Sequence, residues 1–134
     1  MKILVLGAGK MGSFFIDLLS FDHEVAVYEK DAKRMRFTYN CQRFADLEEI
    51  RQFKPELVIN AVTVKYTIAA FEEVMPFLPK DCIISDISSV KTGLKEFYEK
   101  TGHTYVSTHP MFGTTFANLQ QLSEENAIII NEGD

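Results

Sequence analysis

The sequence has few cysteines and few prolines, and it lacks the patterns that would make either residue informative. Its two cysteines, Cys41 and Cys82, lie far apart. This spacing predicts no C-x-x-C redox motif and no metal site, and it does not suggest a disulfide. Four prolines and seven glycines among 134 residues are too few for a low-complexity or disordered chain.

The chain also lacks a surplus of positive charge and a long apolar run. Its formal net charge is −5, so nucleic acid and anionic membranes are not expected partners. Apolar runs such as Ala127–Ile130 are far shorter than the roughly 20 residues of a membrane span. The first apolar run stops at Gly7 without a signal-peptide cleavage site. We therefore expect a cytoplasmic protein. Its length and its 46% of hydrophobic residues are typical of one globular domain, which we predict over residues 1–134.

Apolar runs of strand length alternate with helix-period segments along the whole chain. Seven strands are predicted, at Lys2–Leu6, Glu24–Glu29, Cys41–Phe44, Leu57–Val62, Cys82–Ile87, Thr104–Ser107 and Asn126–Asn131. This alternation predicts an α/β fold, a doubly wound parallel sheet (Rossmann) of about seven strands with helices on both faces. Ligands are then expected at the carboxyl ends of the strands.

Local signals place the helices between these strands. Apolar residues of Met11–Ser20 repeat at helical spacing and predict one buried stripe, made of Met11, Phe14, Phe15, Leu18 and Leu19. Asp31 can cap a short helix at Ala32–Arg36, and Asp46-Leu47-Glu48-Glu49 has the form of a helix start. Two further helices are expected, one at Tyr66–Met75 and one from Val90 to a stop at Gly102.

The first strand ends in a glycine-rich loop, Gly7-Ala8-Gly9-Lys10-Met11-Gly12, which fits G-x-G-x-x-G. Gly7 permits the tight turn, Gly9 lets a pyrophosphate approach the backbone, and Gly12 lets the helix pack near the strand. The helix N-terminus, with Lys10 and Met11 in its first turn, offers N–H groups and partial positive charge to phosphates. The loop therefore predicts a dinucleotide cofactor.

Glu29 ends the second predicted strand, 22 positions after the first glycine. A carboxylate there can accept both hydrogen bonds of an adenosine ribose and would repel a 2′-phosphate, which favours NAD over NADP. Nearby Lys30, Lys33 and Arg34 keep the cofactor choice open. The alternative for this region is a phosphate-free glycine turn with a surface glutamate.

Three further loops follow strands at the same predicted edge. Val62 and Thr63, after the fourth strand, are candidates for cofactor contacts, and core packing with a turn is the alternative. Ser88 is also assigned to the cofactor. Ser89 can cap a helix beginning at Val90, direct its hydroxyl across the crevice, or do both. His109 directly follows the sixth predicted strand, and because histidine is the side chain that ordinarily changes charge near neutral pH, it is a candidate catalytic base.

The combination of three motifs resembles the prephenate dehydrogenase family, including arogenate dehydrogenases. These motifs are G-A-G-K-M-G at 7–12, D-I-S-S-V-K at 86–91 and H-P-M-F-G at 109–113. The glycine loop is shared with many dehydrogenases, whereas the two later motifs are specific together. The resemblance covers nearly the whole chain but only the family's amino-terminal nucleotide-binding half. The family's helical domain, which forms the dimer, is absent from this sequence.

The resemblance implies NAD- or NADP-dependent oxidative decarboxylation of prephenate or arogenate in tyrosine biosynthesis. His109 matches the family's catalytic histidine, which accepts the proton of the substrate's ring hydroxyl. Ser89 matches the serine that orients the histidine or the hydroxyl, and Lys91 matches a motif lysine that we interpret as structural. The family's arginine for the substrate carboxylate has no counterpart here.

Two other classes of function stay open at this point. One is another dehydrogenase of this architecture, such as a 3-hydroxyacid dehydrogenase or a pyrroline-carboxylate reductase, which generally lacks H-P-M-F-G. The other is a non-catalytic NAD-binding module, which would use the glycine loop and Glu29 without a base beside the nicotinamide.

Overall fold

A computed structural model describes residues 1–35, 38, 40–112 and 126–130. In this part of the chain, seven strands form one sheet of order β3-β2-β1-β4-β5-β6-β7. The strands are β1 (Lys2–Leu6), β2 (Glu24–Tyr28), β3 (Gln42–Phe44), β4 (Leu57–Asn60), β5 (Ile83–Asp86), β6 (Tyr105–Pro110) and β7 (Ala127–Ile130).

Five α-helices connect the strands within the described residues. They are α1 (Lys10–Leu19), α2 (Ala32–Met35), α3 (Leu47–Phe53), α4 (Thr67–Val74) and α5 (Leu94–Thr101). A 3₁₀ turn, Val64–Tyr66, precedes α4, and another, Met75–Phe77, follows it. Each helix in the described part of the chain falls short of the length and apolar character that crossing a bilayer requires.

Helices cover both faces of the sheet, as the doubly wound prediction requires. Alternate residues of β1 enter two separate cores because side chains of a strand alternate between faces. Ile3 and Val5 pack in a cluster with Ile16 of α1. Leu4 and Leu6 pack in the other, which also contains the helix residues Ile50, Phe71, Leu94 and Tyr98. The first six strands are parallel, and the sequence order reverses between β1 and β4.

The predicted doubly wound parallel sheet is confirmed for β1 to β6, and the edge strand β7 is the exception. β7 runs antiparallel to β6, with His109 opposite Ile128. Hydrophobic alternation does not encode strand direction, which depends on the path of the connection. Three residues of predicted segments lie outside the described residues: Arg36, Gly113 and Asn131.

Two predicted helices differ in detail from the structure. The buried residues of α1 are Gly12 and Ile16, whereas the five residues of the predicted stripe are only half-buried. The prediction was based on the bulky apolar residues of this segment, whereas the helix face that packs against the sheet carries Gly12, which has no side chain. α5 begins at Leu94 rather than Val90, because Gly93 adopts a left-handed conformation (φ 78°) at its N-cap.

Capping predictions elsewhere are confirmed. Asp31 Oδ1 accepts a hydrogen bond from the Lys33 amide at 2.9 Å. Asp46 and Glu49 form the reciprocal capping box of α3, which satisfies amide groups that the first helical turn leaves without helical partners.

Candidate functional site

The three glycines of the first loop occupy different environments. Gly7 has φ +91°, and a Cβ there would lie 3.1 Å from Val62 Cγ1. A Cβ on Gly12 would overlap the carbonyl oxygen of Gly7. At Gly9, by contrast, a Cβ would meet no atom within 4 Å. Packing therefore requires Gly7 and Gly12, whereas the space in front of Gly9 is open at the N-terminus of α1.

Glu29 lies directly after β2 and is held against the glycine loop. Its Oε2 accepts a hydrogen bond from the Ala8 amide at 2.9 Å, and its Oε1 accepts one from the Asp31 amide at 2.9 Å. A carboxylate has about four lone-pair positions, so both oxygens keep capacity for further donors. The carboxylate is thus fixed at the mouth of the loop with acceptor capacity remaining.

A first cleft of about 420 Å³ begins at this loop and extends toward α4. Its apolar wall is formed by Leu6, Ala61, Val62, Ala69 and Ala70. Its far end is polar and is lined by Tyr28, Glu29, Lys30, Arg34 and Glu73. This combination of an apolar wall and a polar end suits a heterocyclic base with an attached sugar.

A second cleft, also of about 420 Å³, lies on the other side of the loop. The two clefts share four lining residues: Gly9, Ala61, Val62 and Thr63. The second cleft is further lined by Lys10 and Met11 of α1 and by Ser88, Ser89 and His109. The predicted site residues other than Gly12 therefore line one continuous crevice. This crevice lies at the carboxyl ends of β1 and β4, where the strand order reverses.

The structure corrects two sequence predictions about residues that line the second cleft. His109 lies within β6 rather than after it, because β6 extends to Pro110. Ser89 is not a helix cap, since α5 starts five residues later, and its side chain is exposed. The Ser88 hydroxyl is instead buried, with its Oγ 3.0 Å from Thr67 Oγ1. Ser89 and His109 are thus the polar side chains that the two later motifs expose to this cleft.

Behind the second cleft, a fully buried carboxylate gathers four donors. Asp86 Oδ2 accepts from the Ser88 amide at 2.9 Å and from Lys91 Nζ at 2.6 Å. Its Oδ1 accepts from the hydroxyls of Tyr98 at 2.6 Å and Ser107 at 2.8 Å. These contacts join the end of β5 to its following loop, to α5 and to β6. Hydrogen bonding and ion pairing offset the cost of burying this charge.

The same network reaches the backbone next to His109. Lys91 Nζ donates to the Thr108 carbonyl at 2.7 Å, and Thr108 Oγ1 donates to the Asp86 carbonyl at 3.0 Å. Burial and the Asp86 carboxylate raise the pKa of Tyr98 well above its ordinary value. The tyrosine therefore stays a neutral donor, and these contacts support a structural role for Lys91.

The sequence did not predict that Glu73 and Tyr28 belong to this region, and it placed the motif that contains Asp86 here without assigning a role to this carboxylate. Tyr28 and Glu73 are 45 positions apart in sequence, and only the packing of α4 beside β2 brings them together. Asp86 did leave a signal, because an acidic residue at the end of the apolar run Cys82–Ile87 must find buried partners.

Comparison with known proteins identifies the relatives of this chain. The family model described as the nucleotide-binding domain of prephenate dehydrogenase matches residues 13–130. The match begins after the glycine loop and includes Glu29, Ser89 and His109. A probable arogenate/prephenate dehydrogenase of Methanocaldococcus jannaschii is 36% identical over 69 residues, which are 49% of this chain and 16% of that protein.

Solved structures of two dehydrogenases share the fold. Prephenate dehydrogenase of Aquifex aeolicus, solved with hydroxyphenyl propionate and NAD⁺, has a TM-score of 0.80 at 18% identity. The similarity extends over the whole of this chain and over 52% of the Aquifex aeolicus chain. Synechocystis arogenate dehydrogenase has a TM-score of 0.72 at 23% identity, with 84% of this chain covering 42% of that one.

The chain thus spans about half the length of these solved structures and less of the curated relative. These relatives are oxidoreductases of the prephenate dehydrogenase type. Because the family model matches most of the sequence, this chain belongs to the prephenate dehydrogenase family and matches its nucleotide-binding domain.

Proposed function

We propose that this chain binds NAD⁺ across the two clefts and is the cofactor domain of an enzyme that oxidatively decarboxylates prephenate or arogenate in tyrosine biosynthesis. The observation that carries the proposal is the continuous crevice at the strand-order reversal. Glu29 lies in one arm of this crevice, the open face of Gly9 at its centre, and His109 in the other arm.

The residues of the crevice fit a dinucleotide. The open space at Gly9 admits phosphate oxygens to the N-terminus of α1, whose dipole favours negative charge. Glu29 has acceptor capacity left for the two hydroxyls of an adenosine ribose, and the apolar wall of the first cleft suits adenine. Lys10, Met11, Val62, Thr63 and the Ser88 backbone then line the path toward the nicotinamide. When bound, this cofactor supplies the hydride acceptor.

In the proposed reaction, the chain itself contributes a base and its orientation. His109 accepts the proton of the substrate hydroxyl, because a ring nitrogen of neutral histidine is the general base that enzymes use most often. Ser89 orients the imidazole or the hydroxyl. The Asp86 network holds the backbone on both sides of the cleft, so that these two side chains keep their separation. Loss of carbon dioxide then aromatises the substrate ring.

The family relationship favours this function over other dehydrogenases of the same fold and over a non-catalytic module. We extend the proposal to the whole protein: the family's helical domain would complete the substrate pocket and form a homodimer, and the enzyme would act in the cytoplasm.

Calorimetric titration of the chain with NAD⁺ tests the cofactor step. Gly9→Ala is the informative variant, because Gly9 has an extended backbone that alanine adopts and its Cβ would enter only open space. We expect at least tenfold weaker binding with unchanged thermal stability, since a methyl group there meets the phosphates. The matched control is Glu72→Gln, on the exposed side of α4. Equal NAD⁺ affinity of the wild type and Gly9→Ala would contradict the proposal.

The role of His109 is tested separately from binding. In a protein that joins this domain to the family's helical domain, we expect His109→Asn to lower kcat for prephenate or arogenate about 10²–10⁴-fold, with NAD⁺ affinity unchanged. A variant that retains full kcat would remove His109 from the chemistry while leaving the cofactor proposal intact.

A further inference from the structure

We propose that Glu73 of α4 is a second determinant of cofactor choice, which disfavours NADP⁺ by occupying the lysine that a 2′-phosphate would need. This inference rests on the proposed binding of NAD⁺ in the first cleft. It concerns a residue on a different element from Glu29, and it acts through a different interaction.

Glu73 bridges two residues at the end of β2. Its Oε2 lies 2.7 Å from Lys30 Nζ, and its Oε1 accepts a hydrogen bond from the Tyr28 hydroxyl at 2.9 Å. All three side chains line the polar end of the first cleft, together with Glu29. The carboxylate of Glu73 is therefore part of the wall where the adenosine ribose is proposed to bind.

Tyr28 keeps the Glu73 carboxylate in place. Burial and the neighbouring Glu73 raise the pKa of the Tyr28 hydroxyl to about 12, so the phenol stays a neutral donor throughout the physiological range. The Glu73 side chain is 27% exposed, whereas that of Lys30 is 70% exposed. Lys30 is therefore the more exposed partner, whereas Glu73 is held by Tyr28 and pairs with Lys30 on the α4 side of the cleft.

Among the described residues, the two cations that line this cleft, Lys30 and Arg34, are each engaged by a carboxylate. Lys30 pairs with Glu73, and Arg34 Nε lies 3.8 Å from Asp31 Oδ2. Glu29 adds a further negative charge at the same end. A 2′-phosphate needs Lys or Arg donors that are free to approach it. For Lys30 to reach a 2′-phosphate, it must leave Glu73, and the Glu73 carboxylate then faces the phosphate.

The test compares the affinities of the chain for NAD⁺ and NADP⁺ by calorimetry, in the wild type, Glu73→Gln and Glu72→Gln. Glu72→Gln removes the same charge from the same helix but outside the cleft. We expect Glu73→Gln to raise the NADP⁺-to-NAD⁺ affinity ratio about fivefold, the scale of an exposed ion pair, and Glu72→Gln to change it less than twofold. The gain should shrink at high salt.

A double-mutant cycle with Lys30→Gln identifies the mechanism. If Glu73 acts by occupying Lys30, Glu73→Gln should give little gain in the Lys30→Gln background. Glu73→Ala provides a second variant, with the same expected ratio, in case glutamine disturbs the local packing.

The outcomes separate this inference from the proposed function. Equal ratios in Glu73→Gln, Glu73→Ala and Glu72→Gln, with NAD⁺ still bound, would overturn the inference and leave the proposed function standing. An equal gain from Glu73→Gln with or without Lys30 would also overturn it, because repulsion by Glu73 alone would then suffice. Wild-type protein that binds neither nucleotide would overturn both proposals.

Discussion

Two ion pairs of nearly equal length have different surroundings in this protein. Lys30 and Glu73 meet at 2.7 Å at the end of the first cleft, and Lys91 and Asp86 meet at 2.6 Å behind the second. The side chains of the first pair are 70% and 27% exposed, whereas those of the second are 26% and 0% exposed. Distance alone therefore does not show how much an ion pair contributes to the free energy of unfolding, because that contribution depends on how far the two charges are exposed to water.

The buried pair belongs to a network that connects β5 with its following loop, α5 and β6. Asp86 accepts hydrogen bonds from Tyr98 and Ser107 as well as from Lys91. In the part of the chain that the structure describes, every buried side-chain nitrogen or oxygen has a hydrogen-bond partner. Within the same described part, the exposed pair of Lys30 and Glu73 is not part of a comparable buried network. We therefore expect it to influence the choice of ligand and to contribute little to the free energy of unfolding.

The largest expected effect is that of Asp86→Asn on stability. The amide cannot neutralise Lys91, and its nitrogen cannot accept the bonds that a carboxylate oxygen accepts. We expect the free energy of unfolding to fall by about 3 kcal/mol, measured by urea denaturation. A loss below about 1 kcal/mol would mean that water reaches Asp86 and that the contrast between the two pairs is wrong.

An intermediate effect is expected for Tyr98→Phe at alkaline pH. The raised pKa of Tyr98 means that the unfolded chain loses this proton near pH 10 while the folded chain keeps it. The free energy of unfolding must then fall as the pH rises above 10. Tyr98→Phe removes this contribution, so its stability should decline less steeply than that of the wild type between pH 9 and 11.

Urea midpoints at several pH values measure this slope. Tyr28→Phe extends the test to the first cleft, because the pKa of Tyr28 is also raised, to about 12. A pKa of about 12 lies above this range, so Tyr28→Phe should flatten the slope nearly as much as Tyr98→Phe does. Parallel slopes for the wild type and Tyr98→Phe would show that the Tyr98 hydroxyl is not held as described.

The smallest expected effect is that of Glu73→Gln on stability. An exposed ion pair contributes less than about 1 kcal/mol, and the glutamine oxygen can still accept the Tyr28 hydroxyl. The free energy of unfolding should change by less than about 0.5 kcal/mol, within error of Glu72→Gln in the same denaturation assay. A loss similar to that of Asp86→Asn would make Glu73 a structural residue and would remove the distinction between the pairs.

Local features of the fold could be read from the sequence because their causes are local. The glycine loop depends on backbone angles and on missing side chains within six residues, and the capping box of α3 depends on Asp46 and Glu49 alone. The alternation of strands and helices likewise followed from hydrophobic spacing. These signals were sufficient for the fold class and for the loops at the carboxyl edge.

Features that depend on distant contacts could not be predicted in this way. The start of α5 is set by the left-handed Gly93, while Lys91 is drawn toward β6 by Asp86 and Thr108. The direction of β7 and the Tyr28–Glu73 contact both require the tertiary arrangement. Helical spacing at Val90 was therefore misleading, since the segment after β5 serves the buried network first.

The contact between Lys91 and Thr108 has a consequence for the shape of the second cleft. Backbone pairing of β5 with β6 stops at Asp86 and Ser107, and one residue later a flexible ammonium side chain takes over as the donor to the Thr108 carbonyl. Beyond the last backbone pair, side chains therefore connect the two strands: Lys91 reaches the Thr108 carbonyl, and the Thr108 hydroxyl reaches the Asp86 carbonyl. The separation of these strand ends is then set by side-chain contacts rather than by a backbone ladder.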